Sequence, residues 1–275
     1  MINIGVFDSG VGGLWILKHL KVELPGYNYV FFGDQAHVPY GVRQMEEIKS
    51  FSESIVKFLI NKGCKIIVIA CNTASAASLE YLRKKFPGTI FIGMEPAIKP
   101  AVEVTHTNSI GVLATGATLK GKLYNSVIER FADGVDISQN TCTGLVEQIE
   151  KGNLDSKKVY SILEKALKPM MKKNIDTIVL GCTHYPFIIP QIKKIVGKKV
   201  NIIDPTEAIV RQVSKVLDRG ILLEKHFKDG KIDIFTSGNI KNMEPILLKL
   251  FNKNMDISKM NWDNDFKLIS TSIFS

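Results

Sequence analysis

Residues 67–73 read Ile67-Val68-Ile69-Ala70-Cys71-Asn72-Thr73, and the pattern returns as Ile178-Val179-Leu180-Gly181-Cys182-Thr183-His184. A near-continuous apolar, β-branched run marks a strand buried on both faces, as in a parallel sheet covered by helices. A second pair of segments repeats in the same order. Ile4-Gly5-Val6-Phe7-Asp8-Ser9-Gly10 is echoed by Ile110-Gly111-Val112-Leu113-Ala114-Thr115-Gly116. Ile4 and Cys71 are 67 residues apart, and Ile110 and Cys182 are 72 apart. The chain therefore reads as two related α/β units. Each has a glycine- and hydroxyl-rich loop after one strand and a cysteine just past the carboxyl end of another. Ligands of open α/β sheets bind at those carboxyl ends. The expected architecture is two pseudo-symmetric α/β domains whose mostly parallel sheets face a central cleft, with two thiols around it.

Working outward, the predicted strands are Ile2–Phe7, Tyr29–Phe32, Ile66–Ala70, Ile90–Gly93, Ser109–Leu113, Thr177–Gly181, Val200–Ile203 and Ile232–Phe235. Amphipathic patterns lie between them. Leu14, Leu17, Leu20 and Leu24 form one stripe before Pro25-Gly26. Met45, Ile48, Ser52, Ile55 and Leu59 recur at helical spacing, with Gly63 as the stop. Thr206-Glu207 opens another helix with the stripe Ile209, Val213, Val216 and Leu217.

At 275 residues, with 45% hydrophobic and 23% charged residues, the chain has the balance of a folded two-domain protein rather than a disordered or fibrous one. Its apolar runs fall far short of the ~18 residues needed for a membrane span. The segment Met1–Asp8 has no basic start and no cleavage site, so a cytoplasmic protein without a membrane partner is expected. The net charge is +9, with basic pairs at Lys84-Lys85, Lys172-Lys173, Lys193-Lys194 and Lys198-Lys199. These are scattered late in helical stretches, where lysine suits the helix dipole. No aromatic-interleaved basic stripe accompanies them, and no nucleic-acid partner is expected.

The four cysteines, at 64, 71, 142 and 182, show no Cys-x-x-Cys spacing for a metal or redox site. Cys64 begins a buried strand and Cys142 has no strand context, so both read as small core residues. Cys71 and Cys182 differ, because each stands at a strand-to-helix transition. There the backbone N–H groups favour the thiolate over the free thiol. Two such groups suit inversion of a stereocentre, one removing a proton and the other returning one. Asp8 is placed to serve Cys71. His184, two residues past Cys182, is able to poise the second thiol. Asp8 as a local cap and His184 as a satisfied loop histidine are the plainer alternatives. The loop Asp8-Ser9-Gly10-Val11-Gly12-Gly13 lacks the full dinucleotide fingerprint and reads better as a cradle of N–H donors for a small carboxylate. Asn72, Thr73 and Thr183 add neutral donors and acceptors, and Pro39-Tyr40-Gly41 makes a turn at the same sheet edge.

Taken together, these residues resemble the glutamate racemase family, within the cofactor-independent aspartate/glutamate racemases. The matching blocks are Gly5–Leu14, Pro39-Tyr40-Gly41, Ala70-Cys71-Asn72-Thr73-Ala74, Leu145-Val146-Glu147, Gly181-Cys182-Thr183-His184-Tyr185-Pro186 and Thr236-Ser237-Gly238. They run in order to about residue 238. The resemblance implies a two-base racemase that interconverts L- and D-glutamate and supplies D-glutamate for peptidoglycan and cell-wall biogenesis. Cys71 and Cys182 would be the acid/base pair, with Asp8 assisting Cys71, and Glu147 and His184 assisting Cys182. Asp8, Ser9, Tyr40, Gly41, Asn72, Thr73, Thr118, Thr183 and His184 would contact substrate, with no cofactor and no metal. The family fold further implies a discontinuous first domain, 1–97 with 207–275, and a second domain, 98–206. A homodimer is the usual assembly.

Two segments depart from the family pattern. Where many relatives carry a Cys-Pro start and a second proline, this chain reads Cys142-Thr143-Gly144-Leu145-Val146. Val42-Arg43-Gln44 follows the Pro-Tyr-Gly turn where a serine is common at the third position. Aspartate or another amino acid as substrate is the nearest rival reading, since one methylene is worth only about 1–3 kcal/mol of discrimination. A non-catalytic binding protein is the more distant rival.

Overall fold

The computed structural model describes residues 2–221 and 229–270. By contact the chain divides into two compact units, Met1–Met94 with Thr206–Ser275, and Glu95–Pro205.

In the first unit the chain runs β1 (Asn3–Asp8), α1 (Gly13–Glu23), β2 (Asn28–Gly33), α2 (Met45–Asn61), β3 (Cys64–Ile69), α3 (Asn72–Lys85) and β4 (Ile90–Gly93). The second unit contributes α4 (Ile98–Val104), β5 (Ser109–Ala114), α5 (Gly116–Lys120), α6 (Lys122–Phe131), β6 (Asp136–Asn140), α7 (Leu145–Glu150) and α8 (Lys157–Met171). It closes with β7 (Thr177–Gly181), α9 (Ile189–Val196) and β8 (Asn201–Ile203). The first unit then resumes as α10 (Thr206–Val216), β9 (Ile232–Thr236), α11 (Ile240–Phe251), β10 (Ile257–Trp262) and β11 (Leu268–Ser270).

The first unit's strands lie in the order β11-β10-β9-β2-β1-β3-β4, and those of the second in the order β6-β5-β7-β8. Every pairing is parallel except β10 with β11. The predicted α/β class with mostly parallel sheets is what the chain adopts. β1 sits mid-sheet, and Ile4 to Asp8 are all buried, which is why that strand reads as unbroken apolar sequence until its last residue. Ile48, Ile55 and Leu59 of α2 are fully buried against Phe32, Ile67 and Ile69. Each such side chain contributes about 1.5–3 kcal/mol. A bond from the Gln44 N–H to the Glu47 carboxylate (3.1 Å) opens α2. Gly63, at φ +79°, follows its end, a backbone state glycine adopts without penalty. The second unit has its own core of Ile110, Val112, Tyr124, Val127 and Val179.

Three strands are additional to those expected. Asp136-Ile137-Ser138-Gln139-Asn140 forms β6, an edge strand that pairs only with β5 and is half open to solvent. Its polar composition suits an edge but hides it from a search for apolar runs. Cys142 therefore does have a strand context, lying two residues past β6, and its positive φ of 45° places it in a turn. β10 and β11 form a hairpin after Phe251, where no element had been assigned.

Candidate active site

In the first unit, Asp8 ends β1 and is completely buried. Its Oδ2 accepts the Gly10 N–H at 3.1 Å, which folds the glycine loop back over the strand end. The loop packs so tightly that a Cβ on Gly13 would lie 2.7 Å from Asp8 Cβ and 3.1 Å from Ala70 Cβ. Gly13→Ala should therefore lower unfolding stability by about 1–3 kcal/mol, the usual cost of overpacking, as read by urea denaturation. An unchanged midpoint would show that the loop yields instead.

Cys71 follows β3 and caps α3. Its sulfur accepts the Ala74 N–H (3.4 Å), and its thiol donates to Ser9 Oγ (3.7 Å). The helix dipole and this N–H both favour negative charge on the sulfur. Asn72 is buried beside it, with neither Nδ2 nor Oδ1 hydrogen-bonded. Leaving a buried polar group unpaired costs about 1–3 kcal/mol, so a ligand offering both a donor and an acceptor would gain by completing it. Ser9 and Thr73 are buried in the same unit. The Tyr40 hydroxyl donates to Asp34 Oδ2 at 2.6 Å, and burial pushes its pKa well above the ordinary phenol value.

In the second unit, Cys182 stands just past β7 with its sulfur 3.8 Å from His184 Nδ1. The other ring nitrogen, Nε2, is 2.5 Å from Glu150 Oε1, and both residues are buried. A carboxylate can only accept, so Nε2 carries a proton toward Glu150. Burial disfavours a charged ring, but hydrogen bonds to Cys182 and Glu150 outweigh it, and the His184 pKa is raised well above its ordinary value. Thr115 Oγ1 accepts the Thr118 N–H (3.3 Å) at the start of α5, and Thr118 and Thr183 are buried. Burial pushes the Cys142 and Cys64 thiols up to about 12, as expected of core cysteines.

Residues 16–213 match the family model described as Asp/Glu/Hydantoin racemase. The chain belongs to this racemase family. It is 42% identical over 248 residues to the glutamate racemase of Roseiflexus sp. (strain RS-1), covering 90% of this chain and 91% of that one. It superposes on the crystal structure of glutamate racemase isoform RacE1 from Bacillus anthracis with a TM-score of 0.85 at 32% identity, covering 97% of this chain and 99% of that one. The glutamate racemase of Francisella tularensis, solved in complex with D-glutamate, gives a TM-score of 0.81 at 30% identity, covering 95% and 97%.

Within this racemase, the expected residues Asp8, Ser9, Tyr40, Gly41, Asn72 and Thr73 all fall in the first unit with Cys71, while Thr118, Thr183 and His184 fall in the second with Cys182. The resemblance gives Glu147 and His184 as partners of Cys182; the carboxylate that His184 Nε2 meets is a further one, Glu150. Gly144, at φ +87°, starts α7 immediately after the departing Cys142-Thr143-Gly144 segment. Glu147 then lies in the first turn, half-buried, and Glu150 ends the helix four residues past buried Val146. Glu147 still acts electrostatically nearby. Burial raises the Tyr185 hydroxyl, and the charges of Cys182, Cys142 and Glu147 raise it further. The signal for Glu150 was available, because a carboxylate at helical spacing on an apolar stripe demands a partner. Among the described residues, no group of three or more His, Cys, Asp or Glu side chains is placed to hold a metal ion, and no helix is long and apolar enough to cross a membrane.

Proposed function

We propose that the chain interconverts L- and D-glutamate by two-base proton transfer without an organic cofactor, with Cys71 and Cys182 addressing opposite faces of the substrate α-carbon. The observation that carries this is a buried thiol in each unit, standing at a strand's carboxyl end with its own polar support. In one direction a thiolate removes the α-proton, the electron pair moves into the carboxylate as an enediolate, and the opposite thiol delivers its S–H proton to the other face. The reverse reaction exchanges the roles. The α-proton is weakly acidic, so donors already oriented toward the developing charge must lower the barrier. Asn72, Thr73 and Thr183, with the glycine-loop N–H groups, are suited to that. Asp8 supports proton exchange at Cys71, and the His184–Glu150 pair supports it at Cys182. Glutamate is favoured over aspartate by the curated relatives and by the D-glutamate held in the Francisella structure. We further propose that the enzyme works as a homodimer in the cytoplasm, supplying D-glutamate for peptidoglycan.

The test is incubation of either enantiomer in heavy water with no added pyridoxal phosphate, nucleotide or metal. Optical rotation should decay to zero from both sides, and the α-proton NMR signal should be lost. Decay that requires any of those additions would refute the mechanism. Turnover of aspartate in preference to glutamate would move the substrate and keep the chemistry.

A further inference from the structure

Asp34, immediately past β2, is completely buried and is the hub of a hydrogen-bond cluster that the racemase chemistry does not itself require. Its Oδ1 accepts Ser237 Oγ–H at 2.6 Å and the Trp262 indole Nε1–H at 2.8 Å. Its Oδ2 accepts the Tyr40 hydroxyl at 2.6 Å and His37 Nδ1–H at 2.9 Å. Four donors on one carboxylate come near its full capacity for hydrogen bonds. Tyr40 and Ser237 lie in blocks that carry the family resemblance, Pro39-Tyr40-Gly41 and Thr236-Ser237-Gly238, and His37 stands two residues before the first of them. The fourth, Trp262, comes from β10, far along the chain and outside the 16–213 span of the family match.

The carboxy-terminal hairpin reaches the same place by packing. His37 stacks flat on Phe51 (centroids 3.9 Å apart, planes 9° apart), and Trp262 meets both rings, at 5.1 Å and 5.7 Å. Phe266, in the hairpin turn, sits edge-on to Phe51 at 5.3 Å, and its carbonyl accepts Ser54 Oγ–H from α2 at 2.6 Å. We infer that Trp262 is a positioning residue for the substrate-binding turn. Its indole N–H completes the donor shell of Asp34, Asp34 fixes the Tyr40 side chain, and the fixed side chain sets the Tyr40–Gly41 backbone where the substrate is held. The assignment of that turn to substrate rests on the proposed glutamate racemase activity.

The mechanism gives a distinct kinetic signature. A hydrogen bond to a charged, buried acceptor is stronger than an ordinary one, and its loss leaves Asp34 short of a donor. Trp262→Phe retains an aromatic ring over Phe51 and removes the donor alone. KM for both enantiomers should rise about tenfold while kcat stays within about twofold, because the thiols and their partners are untouched. Amide hydrogen exchange over residues 34–43 should quicken, with exchange across β3 and α3 unchanged. Ser54→Ala removes the hairpin's outer tie to α2 and leaves the indole in place, so it should behave as the parent.

A KM within twofold of the parent in Trp262→Phe overturns the inference, as does an equal KM rise in Ser54→Ala, which would assign the effect to the hairpin's attachment. If the parent does not turn over glutamate, the proposed activity fails instead, and exchange over 34–43 still decides the positioning. Unchanged exchange there in Trp262→Phe overturns it.

Discussion

Cys71→Ser and Cys182→Ser should each slow racemisation by about 10³-fold or more in both directions, measured by circular dichroism from either enantiomer. A serine hydroxyl is far too weak an acid to be present as an alkoxide near neutral pH, so it can neither take the α-proton nor be rapidly restored after giving one. In the proposed mechanism both directions suffer, because each cycle uses one thiol to remove a proton and the other to deliver one. The Cys71 variant is a clean test, because serine is a favoured helix N-cap. It can keep the bond that Cys71 sulfur accepts from Ala74 N–H, so α3 and the secondary structure should be preserved. A rate within tenfold of the parent in either variant would remove that thiol from its assigned role.

The second large effect separates two carboxylates three residues apart. Glu150→Gln should cut kcat by about 10- to 100-fold and destabilise the protein by about 1–3 kcal/mol, whereas Glu147→Gln should change kcat by less than about threefold. Glutamine can still accept a bond from His184 Nε2 but no longer carries the charge that helps hold the buried ring protonated. The stability effect has a definite sign with pH. The folded His184 pKa lies above its unfolded value. Its contribution to stability is therefore full below the unfolded value, near 6.5, and is lost as pH rises through the folded value. The stability gap between parent and Glu150→Gln should accordingly be wider at pH 6 than at alkaline pH. The reverse ranking of the two variants would return Glu147 to the role that resemblance gave it.

These two carboxylates also mark the limit of what sequence conveys. The parallel α/β class was legible from apolar runs such as Ile66–Ala70, because both faces of those strands are buried and nothing polar interrupts the pattern. The two strand-end cysteines, Cys71 and Cys182, were legible from their position after such runs. β6 was not, because an edge strand open to water has no reason to be apolar. Glu150 was missed because a lone carboxylate ending a six-residue helix reads as an ordinary surface charge, although the fold buries it against His184. Trp262 was missed for another reason: a bond between residues 34 and 262 joins positions 228 apart, and no local pattern records it.

The two units repeat in sequence but are not equivalent in chemistry. Where the first repeat has Asp8, the second has Ala114, and where the first thiol caps a fourteen-residue helix, the second leans on a histidine and a carboxylate. Mirror-image substrates have identical free energies in water, so the equilibrium constant between them is one. For a racemase, kcat/KM must then be equal in the two directions at every pH, however unlike the two bases are. The asymmetry is confined to how that shared quotient divides into its parts. It will appear as unequal saturation by the two enantiomers, compensated by unequal turnover, and as different solvent isotope effects on the two kcat values.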